Sequence, residues 1–217
     1  MKKMNSGFTL AEVLITLAII GVVASLTLPS LMVNTGEQQA MTAYKKMINT
    51  LSEAGQINAA VLGFDYSTMT GAGSYNDDYT STGAQTLGAI IHEQMNVTPG
   101  LGAVTLGTQS SCAVLTDSTA ICLGSYAKVG ETDAKSIIVD TNGTKGPNQL
   151  ASCTENGCTS KAGRKLYDQY YVTLYRGQAY PGKWSGIETY PESDSNNNAA
   201  LYAAGLDKKT TTAASGS

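Results

Sequence analysis

Between Phe8 and Val33 the chain runs for 26 residues with a single charged side chain, Glu12. Coiled as a helix, that run is ~39 Å long, more than the ~30 Å hydrocarbon core of a bilayer. A short polar leader, Met1–Gly7, precedes it and carries Lys2 and Lys3. Positive charge ahead of the span predicts a cytoplasmic N-terminus with the remaining chain outside. A secretory signal peptide also places a basic segment before an apolar one. Three features count against it: the run is too long for an h-region, no small-x-small cleavage site stands clearly after it, and a carboxylate sits near its start. An ordinary signal anchor accounts for everything except Glu12 and the abrupt Gly7/Phe8 junction.

Those two features coincide in one pattern. Lys2-Lys3 followed by Gly7-Phe8-Thr9-Leu10-Ala11-Glu12-Val13-Leu14-Ile15 resembles the class III leader of type IV prepilins and type II secretion pseudopilins. The resemblance covers about the first thirty residues. It implies that a membrane prepilin peptidase cuts after Gly7 and methylates the new amine of Phe8. It also places Glu12 at the family's fifth mature position, and Pro29 where many pilins carry a helix-kinking proline. The chemistry of Glu12 points the same way, because a carboxylate within an apolar helix is costly and hence a functional candidate. After cleavage the Phe8 amine lies four residues away on the same helical face. Glu12 can pair with that amine or with a neighbouring subunit's. The second pairing sets the axial register of packed helices, as buried polar groups do in coiled coils. The residues leave both open, and the resemblance favours the intersubunit pairing.

The remaining chain is low in charge, with 14% charged residues, 23 glycines and long Ser/Thr/Asn-rich stretches. This composition suits an extracellular, loop-rich domain better than a cytosolic enzyme. The formal charge is −3; without the leader, 12 basic residues face 17 acidic ones, giving −5. No basic run survives, so nucleic acid is not the default partner. Cys112, Cys122, Cys153 and Cys158 all fall on the outer side, where an even count reads as disulfides. Of three connectivities, sequential pairing (Cys112–Cys122 and Cys153–Cys158) closes two short loops and is the expected one. Neither spacing is Cys-x-x-Cys and the only histidine, His92, is remote in sequence, so zinc is not expected.

Beyond a polar stretch, Asn34–Gln39, a helical rhythm resumes at Ala40, Tyr44, Met47, Ile48, Leu51, Ala54, Ile57, Val61 and Leu62. One helix over residues 8–62 is therefore expected, with a membrane half at 8–33 and an amphipathic half at 37–62. Pro29 should bend it, and Gly21, Gly36 and Gly55 are weak points. A globular head should occupy residues 63–192. It opens with an exposed connection at 63–83 and a short helix over Gln85–Met95. Strand-like runs follow at Val104–Leu106, Cys112–Leu115, Thr119–Leu123, Ser136–Asp140 and Leu166–Arg176. The last alternates, with Tyr167, Gln169, Tyr171, Thr173 and Tyr175 on one face and Tyr170, Val172 and Leu174 on the other. The expected fold is α+β, a long N-terminal membrane-spanning helix packed on a small antiparallel sheet. From residue 193 to 217 the Ser/Asn/Thr-rich chain reads as a mobile tail.

Asp140-Thr141-Asn142-Gly143-Thr144-Lys145-Gly146-Pro147-Asn148 is a tight-turn signal, because Asn and Gly tolerate positive φ. It is similar to a turn in the heads of many pilin-like proteins. In pseudopilins a nearby loop can hold calcium, with Asp140 and Asn142 as the matching oxygen donors here. The dense carboxylate cluster of a useful calcium site is missing, so a structural turn and no cofactor are expected.

No catalytic triad, paired-carboxylate signature, phosphate loop or metal cluster stands out, and no enzymatic activity is expected. The resemblance implies a filament subunit of a type IV pilus or type II secretion pseudopilus. Its expected partners are further pilin-like subunits, the prepilin peptidase, an inner-membrane platform and an assembly ATPase. The precursor would sit in the inner membrane with its head outside, then pass to a periplasmic pseudopilus or a surface filament. The alternative is a membrane-anchored extracytoplasmic binding module, or less readily an enzyme, that does not polymerise. Its site would be the tyrosine-rich strand, since seven of twelve tyrosines lie from Tyr167 onward.

Overall fold

The computed structural model describes residues 8–73, 85–129, 133–153, 158, 164–165, 167–184 and 195–206. The fold is α+β, with a membrane-capable N-terminal helix and a six-stranded antiparallel sheet. Helix α1 spans Leu10–Val61 and is helical through Gly21, Pro29 and Gly36. The chain divides into two compact units, Met1–Gln39 and Ala40–Ser217.

In the first unit Leu10–Leu28 forms the segment long and apolar enough to cross a membrane, with none of it buried against protein. The hydroxyls within it bond inside the helix. Thr16 donates to the Val13 carbonyl at 2.9 Å, Ser25 to Val22 at 2.8 Å and Thr27 to Val23 at 3.0 Å. Such back-bonding satisfies polar side chains where no water is present.

In the second unit the sheet order is β1 (Ala103–Leu106), β2 (Gln109–Val114), β3 (Ala120–Lys128), β4 (Lys135–Asp140), β7 (Gln169–Tyr175) and β8 (Gln178–Pro181). A separate short pair joins β5 (Ser152–Cys153) to β6 (Arg164–Lys165). Cross-strand rows define two faces. Ala113, Ile121, Val139 and Tyr170 form one row on the inner face. That face packs on Tyr44, Met47, Leu51 and Ala54 of α1 and on Leu87, Ile90 and Ile91 of α2 (Leu87–Gln94). Thr86 caps α2, its hydroxyl accepting from the Ala89 N–H at 3.3 Å. Tyr44 closes the core: its ring lies 4.7 Å from Tyr170, and its hydroxyl donates to the Tyr171 carbonyl at 2.6 Å.

On the outer face Cys112 and Cys122 stand opposite each other and are joined by a disulfide. With Leu106, Val114 and Ala120 they form a second small apolar cluster. A second disulfide joins Cys153 to Cys158.

The end of α1 departs from the expected stripe. Ile57, Val61 and Leu62 are exposed, while Asn58 is fully buried and donates to the Phe64 carbonyl at 2.6 Å. The inward face thus runs Leu51, Ala54, Gly55, Asn58. Gly55 is no weak point: it faces the Tyr66 ring so closely that a Cβ would collide with it, and Tyr66 donates to the Leu51 carbonyl. Gly63, at φ +75°, ends the helix in the left-handed conformation that favours glycine. Gly55→Val is expected to destabilise the head by about 1–3 kcal/mol through overpacking. Gly36→Ala, with open space at its Cβ, should be neutral or slightly stabilising. Thermal melts of the two variants check both; a Gly55→Val chain melting like the parent would contradict the packing described.

The mobile-tail expectation also fails at residues 195–204, which form α3 (Ser195–Ala204). Asn side chains that look disordering in sequence clamp backbone here. Asn197 accepts from the Lys183 N–H at 2.7 Å and donates to the Lys183 carbonyl at 3.0 Å; Asn196 donates to the Ala151 carbonyl at 2.8 Å. Ala199, Ala200 and Ala203 join the core. The remainder of the 193–217 expectation lies outside the described residues.

Candidate functional site

The chemistry singled out in the sequence collects at the start of α1. Gly7 lies outside the described residues, and Phe8 is almost fully exposed. Thr9 and Glu12 bond reciprocally. The Thr9 N–H and hydroxyl both donate to Glu12 Oε2, at 2.9 and 2.8 Å, and the Glu12 N–H donates to Thr9 Oγ1 at 3.3 Å. This is a capping box, which occupies N–H groups that the first turn of a helix cannot satisfy internally. Its signature, Thr-x-x-Glu, is legible in Thr9-Leu10-Ala11-Glu12, and the sequence reading passed over it. Phe8, Glu12, Val13 and Thr16 line one shallow hollow on this helix face. Within the isolated chain, then, the only carboxylate of the apolar run is held by a neighbour three residues away, beside the Phe8 backbone.

Residues 2–28, which include Lys2, Lys3, Gly7, Phe8 and Glu12, match the prokaryotic N-terminal methylation motif. The chain carries a class III leader. That motif supports a type IV pilin-like or pseudopilin precursor. Its apolar helix and leader are consistent with membrane anchoring. No curated protein and no solved structure matches the chain.

The second stretch, Asp140–Asn148, is built as a clasp on the sheet's outer face. Asp140 is fully buried at the end of β4. Its Oδ1 accepts from the Asn142 and Gly143 N–H groups at 3.0 and 2.8 Å, and its Oδ2 from Gln169 Nε2 at 3.2 Å. Asp168, which sequence reasoning missed, accepts from the Asn148 and Gln149 N–H groups at 2.7 and 2.8 Å. With its amide nitrogen turned inward, Asn148 donates to the Lys145 and Gly143 carbonyls at 2.9 Å and to Asp140 at 3.3 Å. Gly143, at φ +63°, brings the loop against the Ser118 carbonyl and Val114, so a side chain there has no room. In the calcium alternative to the expected turn, Asp140 and Asn142 are the oxygen donors. The Asp140 oxygens already receive N–H groups. The geometry is that of a turn.

Burial pushes the Asp140 carboxyl up to about 6, with the Asp168 charge adding to it and the Asn142 and Gly143 N–H groups opposing it. A raised folded-state value means that the folded chain binds more protons than the unfolded one between the ordinary 3.8 and about 6. The stabilisation is complete below 3.8 and is lost as pH rises through about 6. Asp117 works in the opposite sense at lower pH. Burial raises it, but hydrogen bonds from Lys46 and Thr119 outweigh burial and hold it below the usual carboxylate range. Its stabilisation is lost only on deeper acidification. The Asp140 contribution is therefore expected to make the detergent-solubilised protein ~1.5 kcal/mol more stable at pH 5 than at pH 7.5. Asp140→Asn should flatten that difference in thermal melts, and an unchanged difference would refute the assignment.

His92 lies exposed on α2, with Nδ1 3.8 Å from Glu93. It shares no site with the Asp140 clasp or the disulfides.

Proposed function

We propose that this chain is the precursor of a filament subunit of a type IV pilus or type II secretion pseudopilus. The methylation motif carries the reading, because it is followed by a membrane-length helix whose single charge is Glu12. Prepilin peptidase removes Met1–Gly7 and methylates Phe8. The mature subunit waits in the inner membrane with its head outside, and a membrane platform and cytoplasmic ATPase drive its extraction. Work is done by packing rather than catalysis. In the filament the exposed apolar faces of neighbouring helices bury one another, replacing lipid contacts with van der Waals packing. Glu12 gives up its bonds to Thr9 and meets the methylated amine of a neighbouring Phe8, which makes one axial register preferable to its alternatives. Pro29 removes one backbone donor from the helix, and we assign it the bend that adapts the span to neighbours.

The test is sedimentation of sheared surface material from cells with and without the peptidase. The chain should pellet as filaments only when the peptidase is present. Equal distribution in both strains, with the chain confined to membranes, would favour a non-polymerising binding module. One observation supports that second reading: Tyr180 and Trp184 lie 4.7 Å apart on the outer side of β7–β8, beside Lys183 over Tyr171 and Arg176 over Tyr175.

A further inference from the structure

The residues that follow β8 are held more completely than a connecting segment requires. The Gly182 N–H donates to the Tyr171 carbonyl at 3.0 Å, and the Gly182 carbonyl accepts from the Thr173 hydroxyl at 2.7 Å. Asn197 clamps both backbone polar groups of Lys183. The Trp184 N–H donates to Thr173 Oγ1 at 3.0 Å, and its indole N–H to the Pro181 carbonyl at 3.1 Å. Together these bonds fix two side chains that neither apolar cluster uses: Lys183 is exposed and Trp184 half-buried.

The two side chains complete a row of half-buried rings on the outer face. Tyr171, Thr173 and Tyr175 alternate onto that face, and Tyr180 stands opposite Thr173. Trp184 lies 4.7 Å from the Tyr180 ring. The order along β7 is therefore Tyr171, the Tyr180–Trp184 pair, then Tyr175, ~13 Å from first to last. Each end carries a cation: the Lys183 ammonium lies 5.9 Å from the centre of the Tyr171 ring, and the Arg176 guanidinium 5.0 Å from that of Tyr175. Neither cation is in an ion pair among the described residues. Arg176 also occupies the left-handed region, at φ +45°, in a two-residue hairpin loop pinned by its N–H to Ser67 Oγ. A side chain there strains the backbone, and glycine would suit the turn better. The loop thus presents a guanidinium at the expense of its own stability.

We infer that this strip binds an extracellular acidic polysaccharide, its sugar rings stacked on the tyrosines and Trp184 and its carboxylates met by Lys183 and Arg176. Rings held rigidly in a row supply flat contact area at little entropic cost on binding. Two cations at either end of a ~13 Å row suit a polymer whose carboxylates are separated by uncharged sugars. A nucleic acid strand carries a phosphate on every nucleotide, and the net charge of −5 on the leaderless chain opposes so dense a polyanion. The inference does not rest on the filament reading, because the strip belongs to the Ala40–Ser217 unit alone.

Trp184 is the only tryptophan of the chain, so its fluorescence reports on the strip directly. The test titrates the full-length chain in detergent with hyaluronan hexasaccharide, in which carboxylates alternate with uncharged sugars. A saturable change in emission, weakened by added salt, is the expected result. N-acetylchitohexaose, its uncharged counterpart, should bind more weakly on the order of tenfold. The double variant Arg176→Gly, Lys183→Gln should lose affinity on the order of tenfold or more. It should melt like the parent, since glycine relieves the turn and Lys183 is exposed. Emission unmoved by the acidic hexasaccharide, or unchanged affinity in the double variant, would overturn the inference. Equal binding of the uncharged hexasaccharide would do the same. So would tighter binding of a thymidine dodecanucleotide, which would give the strip to single-stranded nucleic acid. All of these readings come from dispersed chains, so the filament reading stands or falls separately on the sheared fraction.

Discussion

Gly7→Val is expected to leave the leader attached to nearly every chain in cells. Prepilin processing requires the peptidase to bring its catalytic groups to the Gly7–Phe8 bond, and a β-branched side chain beside that bond both fills space and stiffens the backbone. Misplacement of a scissile bond by about 1 Å already costs about a hundredfold in rate. The precursor should then accumulate in the membrane with Met1–Gly7 intact, and no filament should form. The head should melt normally, because the substitution lies in the other unit. Normal removal of the leader from Gly7→Val would reject the cleavage assignment.

The second large effect concerns Glu12, where geometry supplies a discriminating pair of variants. Glu12→Ala removes both the capping box and the charge. Glu12→Gln keeps a side chain able to serve at the third position of a capping box but carries no charge to offer a neighbouring amine. If register depends on the charge, both variants should be cleaved after Gly7 and both should lose filament incorporation, on the order of tenfold or more. If Glu12 matters only for starting the helix, Glu12→Gln should assemble like the parent. Quantifying mature subunit in the sheared fraction separates the two outcomes.

What could be read from sequence, and what could not, follows physical lines. The apolar run, the Gly7/Phe8 junction and Glu12 are contiguous, and a long span has few alternative conformations in a bilayer. The strands from Val104 to Asp140 showed as short strand-like runs bounded by turn residues, and β7 by alternation, down to its inward Tyr170 and outward Tyr171. Where tertiary contacts override periodicity, the reading fails. Ile57, Val61 and Leu62 fit a helical stripe by spacing, yet the buried face turns toward Gly55 and Asn58. Gly55 admits the Tyr66 ring, and Asn58 holds the Phe64 carbonyl. Periodicity sees apolar side chains and misses a buried asparagine. The same blindness turned the Asn-rich stretch after Ser193 into a tail, when Asn197 clamps both polar groups of the Lys183 backbone. Asp168 lies 28 residues from Asp140, and no local pattern links them; only β4–β7 pairing brings both to one loop.

The most direct test is the intact mass and N-terminal sequence of the protein recovered from native membranes and from sheared surface material. A chain beginning at N-methylated Phe8, present in the sheared fraction, is the expected result. A chain that retains Met1–Gly7 in mature cells would contradict it, and would leave an anchored extracytoplasmic module in place of a filament subunit.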